Sequence, residues 1–160
     1  MIKRASGVAS STPISMSKRL ASIPLALPWA MAANLVRPGT QVLSVSGDGG
    51  FLFSAMELET AHRLGSTFTH VLMRDNAWDM VAFQQMIKFG RTSGTQLGDY
   101  DIAGYAEAFG GHGYRVSTEE EFLAALDKGL SEEGPSIIDV PVDYSHSTDL
   151  YAQLHTQVFQ

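Results

Sequence analysis

The ten residues 41–50, QVLSVSGDGG, join a short β-branched run to a glycine-rich turn. Such a run, closed by glycines, predicts a strand over 41–46. A second run, FTHVLMR (68–74), predicts another strand, and Asp75 and Asn76 follow it directly. The interval from Asp48 to Asp75 is close to the roughly 30 residues of one strand–helix–strand crossover. The pattern therefore predicts two acidic turns at the same edge of a parallel sheet.

Helices and strands alternate along the rest of the chain. Ser54 with Glu57, and Thr118 with Glu121, have the form of capping boxes at helix starts. We predict a loop over 90–98, further strands over 113–116 and 135–140, and helices over 25–36, 55–64, 78–89, 102–109 and from Thr118 to 130. Strict alternation predicts an α/β fold, a doubly wound parallel sheet with helices on both faces and right-handed crossovers.

The chain divides into three predicted regions. Residues 1–22 are basic and serine-rich, and we predict a leader outside the core. An organelle transit peptide has this composition, but so does an arbitrary leader from a displaced start, which we favour. Residues 23–142 form the predicted domain, and residues 143–160 a surface tail.

Composition excludes several classes of protein. With 160 residues the chain is of single-domain size. A net charge of −6 argues against a nucleic-acid binder that neutralises phosphates, and no apolar run reaches the roughly 18 residues that span a membrane. The absence of cysteine excludes disulfides, thiolate zinc sites and a cysteine nucleophile. We expect a cytoplasmic protein with no nucleic-acid or membrane partner.

The two acidic turns are the candidate ligand site. Ligands of parallel sheets bind beyond the carboxyl ends of the strands, where helix N-termini favour anions. Glycines beside Asp48 would let main-chain N–H groups approach an anion, and two carboxylates suit Mg²⁺ that holds a diphosphate. As alternatives, the glycine segment is only a turn, and Asp75 with Asn76 only caps the next helix.

Other motifs do not point to chemistry. Leu52 breaks the dinucleotide fingerprint at its third glycine, and the chain contains no Walker-type Gly-Lys-Ser/Thr. The five histidines lack metal-ligand spacing, so we interpret them as surface or loop residues. Trp29 and Trp78 are interpreted as core residues.

Four stretches carry a family resemblance: LALPWAMAA (25–33), SVSGDGGFLFSAMELETA (44–61), DMVAFQQ (79–85) and IIDVPVDY (137–144). They resemble the carboxy-terminal part of the catabolic, FAD-independent acetolactate synthases, in their pyrophosphate-binding domain. The resemblance implies the thiamine diphosphate-binding fold, with thiamine diphosphate and Mg²⁺ as cofactors and no FAD.

Carried over by position, the resemblance implies a ligand set. Asp48 and Asp75 would bind the metal through their side chains, and Ala77 through its main-chain carbonyl. The resemblance also implies cofactor-binding positions. Those beside the diphosphate are Gly47, Gly49, Gly50 and Asn76, together with Asp48, which would bind the metal that holds the diphosphate. Those that would line the thiazolium and substrate pocket are Met80, Val81 and Gln84. Without the resemblance, Met80 and Val81 are equally well explained as helix core.

The implied reaction converts two pyruvate molecules to 2-acetolactate and CO2. In the family a glutamate of a separate pyrimidine-binding domain activates the cofactor, so we expect no catalytic residue here and a partner domain on another chain. Glu57 and Glu59 match ordinary family positions. Pro24 departs from a family glycine and puts support of the thiazolium in question. We expect a homo-oligomer that is inactive in isolation; alternatives are a subunit of a split 2-oxoacid decarboxylase and a non-catalytic fragment.

Overall fold

The computed structural model of the protein describes residues 25–144, so the predicted leader, Ile23, Pro24 and residues 145–160 lie outside it. In chain order its elements are α1 (Ala26–Val36), β1 (Leu43–Gly47), α2 (Asp48–Leu52), α3 (Glu57–Arg63), β2 (Phe68–Arg74), α4 (Asp79–Phe89), α5 (Ile102–Ala108), β3 (His112–Arg115), α6 (Glu119–Ser131) and β4 (Pro135–Pro141). Each strand predicted in this part of the chain is present, with its ends shifted by at most two residues.

The strands form a parallel sheet in the order β1-β2-β4-β3. β2 and β4 lie in the middle, and nearly all their residues are buried, which explains why neither run alternates regularly between apolar and polar residues. β1 pairs directly with β2, with Gly47 opposite Met73. The turns after β1 and β2 are therefore on neighbouring strands, about 5 Å apart laterally.

Apolar side chains cover both faces of the sheet. On one face, Leu72 and Ile137 pack with Phe51, Leu58 and other residues from the first, second, third and fifth helices. On the other, Val71 and Ile138 pack with Ala125 of α6. The predicted doubly wound α/β fold is confirmed.

α4 differs from the other long helices because none of its residues is buried. Met80 and Val81 are 44% and 45% exposed, and Met86, Ile87 and Phe89 are more exposed still. The interpretation of Met80 and Val81 as helix core is therefore wrong. No helix among residues 25–144 is long and apolar enough to cross a membrane.

One predicted helix start is wrong, and the other is confirmed. α2 begins at Asp48, where we predicted a turn, and α3 begins only at Glu57. Ser54 lies between these helices, and its buried hydroxyl has no hydrogen-bond partner among residues 25–144. At α6, by contrast, the Glu121 amide donates to Thr118 Oγ1 (3.2 Å), and the Ser117 amide donates to Glu121 Oε2 (2.7 Å).

Two aromatic interpretations are also wrong. His70 is not a surface or loop residue, because it is fully buried in β2. The hydroxyls of Ser44 and Ser46 lie 2.7 and 2.9 Å from its Nδ1 and Nε2. Trp29, predicted to be core, is 51% exposed. Burial of His70 follows from its place in a central strand, where two serines of the neighbouring strand satisfy the ring.

Candidate functional site at the carboxyl edge of the sheet

The two acidic turns meet at the carboxyl ends of β1 and β2. Asp48 is the first residue of α2 and is only 3% exposed. Its Oδ2 accepts a hydrogen bond from the main-chain N–H of Asn76 at 2.7 Å, and its Oδ1 accepts one from Gly49 at 2.7 Å. The second turn is thus bonded directly to the carboxylate of the first.

Asp75 lies close enough to Asp48 for the charge of Asp48 to affect its pKa. Burial raises the pKa of the Asp75 carboxyl, and the negative charge of Asp48 raises it further. Oδ1 of Asp75 accepts a hydrogen bond from the Ala77 N–H at 3.2 Å, the short-range contact of an Asx turn. A divalent cation between the two carboxylates would offset the negative charge that raises the pKa of Asp75.

Asn76 forms a sharp turn between Asp75 and Ala77. Its φ of 60° lies in the left-handed region, and it is the one non-glycine residue with positive φ between residues 25 and 144. Asparagine tolerates this conformation better than most residues. The residues that follow pair with a loop, through Trp78 N–H to Thr95 O (2.7 Å) and Leu97 N–H to Asn76 O (2.8 Å). Neither bond uses the carbonyl oxygen of Ala77.

The glycines of the first turn have different reasons to be there. A Cβ on Gly49 would lie 2.6 Å from the ring of Trp78, so packing inside the chain requires glycine at this position. A Cβ on Gly47 would meet only the Met73 carbonyl oxygen, at an ordinary 3.9 Å. Glycine at position 47 is therefore not required by packing, and it leaves space beside Asp48.

A second polar layer at this edge was missed by the sequence analysis. The Arg74 guanidinium donates to Asp139 Oδ1 (2.8 Å), Asp99 Oδ1 (2.8 Å) and Asn76 Oδ1 (3.2 Å). These aspartates and their hydrogen bonds hold the pKa of Arg74 above its ordinary value, although its burial acts against them. An arginine at the end of a strand rich in apolar residues was the available signal, because buried charges need partners.

Two tyrosines near the carboxylates were also missed. The buried hydroxyl of Tyr100 has no hydrogen-bond partner in the described part of the chain. Burial, and then the charge of Asp48, raises its pKa to about 12. Burial likewise raises the pKa of Tyr144, with contributions from Asp75 and then other carboxylates. Nothing in their spacing along the sequence indicated this placement.

The predicted pocket residues lie on α4, beyond the second turn. Gln84 is exposed, as are Met80 and Val81, so the described chain leaves this side of the site open. Two cavities, of about 480 and 350 Å³, lie instead near the amino ends of the strands. They are lined by Gly65, Thr67, Glu133 and neighbours, far along the strands from Asp48.

The donors at the carboxyl edge fit a magnesium ion. Asp48 and Asp75 offer carboxylate oxygens and Ala77 a carbonyl oxygen, which are the hard ligands that Mg²⁺ prefers. Among residues 25–144 there is no cluster of three or more His, Asp or Glu side chains that would form a complete metal cage. A cation here would thus need ligands from elsewhere, as Mg²⁺ obtains from substrate phosphates and water.

Comparison with known proteins defines the class. The model of the thiamine pyrophosphate enzyme C-terminal TPP-binding domain matches residues 7–140. The chain therefore belongs to this family of thiamine pyrophosphate-binding domains.

Within this family, the chain is similar to several acetolactate synthases. The chain is 53% identical over 135 residues to acetolactate synthase of Bacillus subtilis (strain 168), and 47% over 131 residues to the catabolic acetolactate synthase of Raoultella terrigena. These alignments cover 84% and 82% of this chain but 24% and 23% of the two relatives, so the chain spans about a quarter of their length. Indole-3-pyruvate decarboxylase of Azospirillum brasilense is 35% identical over 109 residues, 68% of this chain and 19% of that protein.

Proposed function

We propose that this chain is the cofactor-binding part of an acetolactate synthase and binds thiamine diphosphate through Mg²⁺. The main support is the hydrogen bond that joins the Asn76 amide to the Asp48 carboxylate at 2.7 Å. It brings together the two turns that a shared cation requires. Burial, and then the charge of Asp48, raises the pKa of Asp75. This further supports the proposal, because it indicates that the two carboxylates are close enough to repel each other.

Each residue has a proposed role. Asp48 and Asp75 would bind the metal through their side chains, and Ala77 through its carbonyl oxygen. The residues proposed to border the diphosphate are Gly47, Gly49, Gly50 and Asn76. Because the amides of Gly49 and Asn76 donate to Asp48, we propose that these two also orient the metal ligand.

The remaining proposed contacts come from α4. Met80 and Val81 would support the thiazolium ring, and Gln84 would face the substrate. Bound thiamine diphosphate supplies the electron sink for decarboxylation of a 2-oxo acid, while the protein supplies binding and orientation. For the acetolactate synthase reaction the substrates are two pyruvate molecules, and the products are 2-acetolactate and CO2. No FAD is part of this proposal.

A pyrimidine-binding domain from outside these 160 residues completes the proposed site. The exposure of Met80, Val81 and Gln84 supports a second domain that would cover the cofactor on this side of the site. That domain would also carry the activating glutamate, so we assign no catalytic residue to this chain. A homo-oligomer located in the cytoplasm, without nucleic-acid or membrane partners, remains our expectation.

Thermal unfolding of the full chain tests the metal–diphosphate proposal. Thiamine diphosphate with Mg²⁺ should raise the melting temperature, and ligand at 100 times Kd would stabilise the fold by about 2.7 kcal/mol. Asp48→Ala should abolish the Mg²⁺-dependent shift, whereas Asp127→Ala, at an exposed position of α6, should keep it. An equal shift in both variants would remove Asp48 from the ligand set.

Calorimetry tests whether tight binding of the cofactor needs the pyrimidine-binding domain. We expect the isolated chain to bind thiamine diphosphate weakly, because half of a ligand-binding cleft leaves much of the ligand in water. Submicromolar affinity for the isolated chain would contradict the proposed division of the site.

The similarity to indole-3-pyruvate decarboxylase supports a second candidate, a subunit of a split 2-oxoacid decarboxylase. Reconstitution with a purified pyrimidine-domain partner separates the candidates by product. Formation of 2-acetolactate from pyruvate supports the synthase, and release of an aldehyde supports the decarboxylase. Intact metal and cofactor binding without turnover under any pairing would support a non-catalytic fragment instead.

A further inference from the structure

We propose that Arg74 is a positioning residue for the candidate metal site, which it serves by clamping Asn76 and with it the turn that carries Asp75 and Ala77. This inference rests on the proposed function for its consequence in metal binding. Its structural part concerns the polypeptide alone and is tested separately below.

Arg74 ties three segments of the chain together from a buried position. Its side chain is 4% exposed, at the end of β2 and directly before Asp75. Nε donates to Asp139 of β4 at 2.8 Å, and Nη1 donates to Asp99, in the loop before α5, at 2.8 Å. Nη1 also reaches Oδ1 of Asn76 at 3.2 Å. The guanidinium thereby connects the central strands to the site turn.

Asn76 is held from two sides. Its side-chain oxygen accepts from Arg74, while its main-chain N–H donates to Oδ2 of Asp48 at 2.7 Å. A residue with φ near 60° is in a strained conformation unless its surroundings fix it. Rotation of the Asn76 backbone toward a commoner conformation would break both contacts, so the Arg74 bond favours the state in which Asn76 meets Asp48.

The shape of arginine matters for this role. Neutralising Asp139 requires only one positive charge, which a lysine could also supply. Reaching Asp139, Asp99 and Asn76 together requires several N–H donors in a fixed planar fork. Arg74→Lys therefore keeps the charge and removes the clamp on Asn76.

Amide hydrogen exchange tests the clamp without any ligand. In Arg74→Lys, the amides of Asn76 and Ala77 should exchange at least about tenfold faster, whereas amides in the middle of β4 should stay protected. Arg63→Lys is the matched control, because Arg63 is exposed and its one ion pair within residues 25–144 is with Glu59, at 3.1 Å. Unchanged exchange at Asn76 in folded Arg74→Lys protein would overturn the inference.

A pair of Asn76 variants gives the same test if Arg74→Lys does not fold. Asn76→Asp keeps an acceptor for Arg74 and tolerates the left-handed conformation, whereas Asn76→Gly keeps only the conformation. We expect the Ala77 amide to remain protected in Asn76→Asp and to lose protection in Asn76→Gly. Equal protection in the two variants would contradict the clamp.

Mn²⁺ affinity, measured by electron paramagnetic resonance with thiamine diphosphate present, tests the consequence for the site. Residues that orient a ligand typically change metal affinity about 10- to 100-fold, and we expect a loss in this range for Arg74→Lys. The loss should largely disappear when Arg74→Lys is made in an Asn76→Gly background, because the clamp is already cut. Fully additive losses would contradict positioning through Asn76. A wild-type chain that binds no Mn²⁺ would instead reject the proposed function, and the exchange experiment would still decide the clamp.

Discussion

Two buried aspartates lie at the carboxyl edge of this sheet, and they are compensated in different ways. Asp139 in β4 is 1% exposed, and the Arg74 guanidinium donates to it. Asp48, 3% exposed, accepts two main-chain N–H groups, and no Lys, Arg or His among residues 25–144 forms an ion pair with it. The chain provides a counter-charge for one of these carboxylates. This difference supports our proposal that Asp48 binds a cation from outside the chain.

Removing Asp139 should have the largest effect on stability. Among residues 25–144, Asp139→Asn leaves the buried Arg74 with the exposed Asp99 as its one ion-pair partner, and breaking a buried pair in this way costs about 3–5 kcal/mol. Urea unfolding at pH 7 measures the loss. In the double variant Arg74→Met/Asp139→Leu, which removes both charges, most of the stability should return. If Asp139→Asn were as stable as the wild type, the ion pair with Arg74 would not distinguish Asp139 from Asp48.

His70 gives a further contrast with the two aspartates, because this buried side chain is neutral at pH 7. Burial lowers its pKa to about 4 from an ordinary 6.5, so the unfolded chain binds the proton more tightly. The stability due to neutral His70 is complete above pH 6.5, falls as pH drops toward 4, and amounts to about 3 kcal/mol.

Unfolding free energies between pH 7 and pH 4 measure this dependence. His70→Gln keeps hydrogen-bonding groups but cannot titrate, so the wild-type curve minus the variant curve should slope between pH 6.5 and 4. Parallel curves for wild type and His70→Gln would show that His70 does not cause the slope.

Charge removal at Asp48 should cost far less than at Asp139. Asp48→Asn keeps an acceptor oxygen for one amide and strands no cation, so we expect a loss of about 1 kcal/mol in the absence of metal. The same urea titration as for Asp139→Asn provides the measurement. A loss as large as that of Asp139→Asn would mean that the fold itself depends on the Asp48 charge.

The smallest effect is expected at a buried hydroxyl without a partner. Ser54→Ala should change stability by no more than about 0.5 kcal/mol, or raise it, because the hydroxyl is desolvated without a hydrogen bond. Thr118→Ala, which removes an observed helix cap, should cost about 1 kcal/mol. Thermal unfolding of the two variants compares them directly, and the opposite ranking would contradict the assignment of the caps.

The fold was predictable where one local signal was unopposed. The runs of β-branched and other apolar residues in β2 and β4 predicted these strands nearly to the residue. The first capping box failed because Ser54 with Glu57 is only a local pattern, and α2, which the sequence analysis did not predict, already occupies the preceding residues. Competition between neighbouring helix starts is not visible in the spacing of two residues.

The candidate site was predictable in its two aspartates and not in their surroundings. Asp48 and Asp75 each follow a strand, and a parallel sheet with β1 beside β2 brings them to one place. The contacts of Arg74 with Asp99 and Asp139 join residues distant in sequence, so no local pattern reveals them. The packing of Trp78 on Gly49 is hidden for the same reason, although it explains that glycine better than an anion does.

Anomalous diffraction from crystals of the full chain, grown with Mn²⁺ and thiamine diphosphate, would locate the metal relative to the two aspartates. We expect one strong manganese peak in contact with the Asp48 and Asp75 carboxylates and the Ala77 carbonyl oxygen. A peak that contacts neither carboxylate, or bound thiamine diphosphate with no manganese beside Asp48, would contradict it.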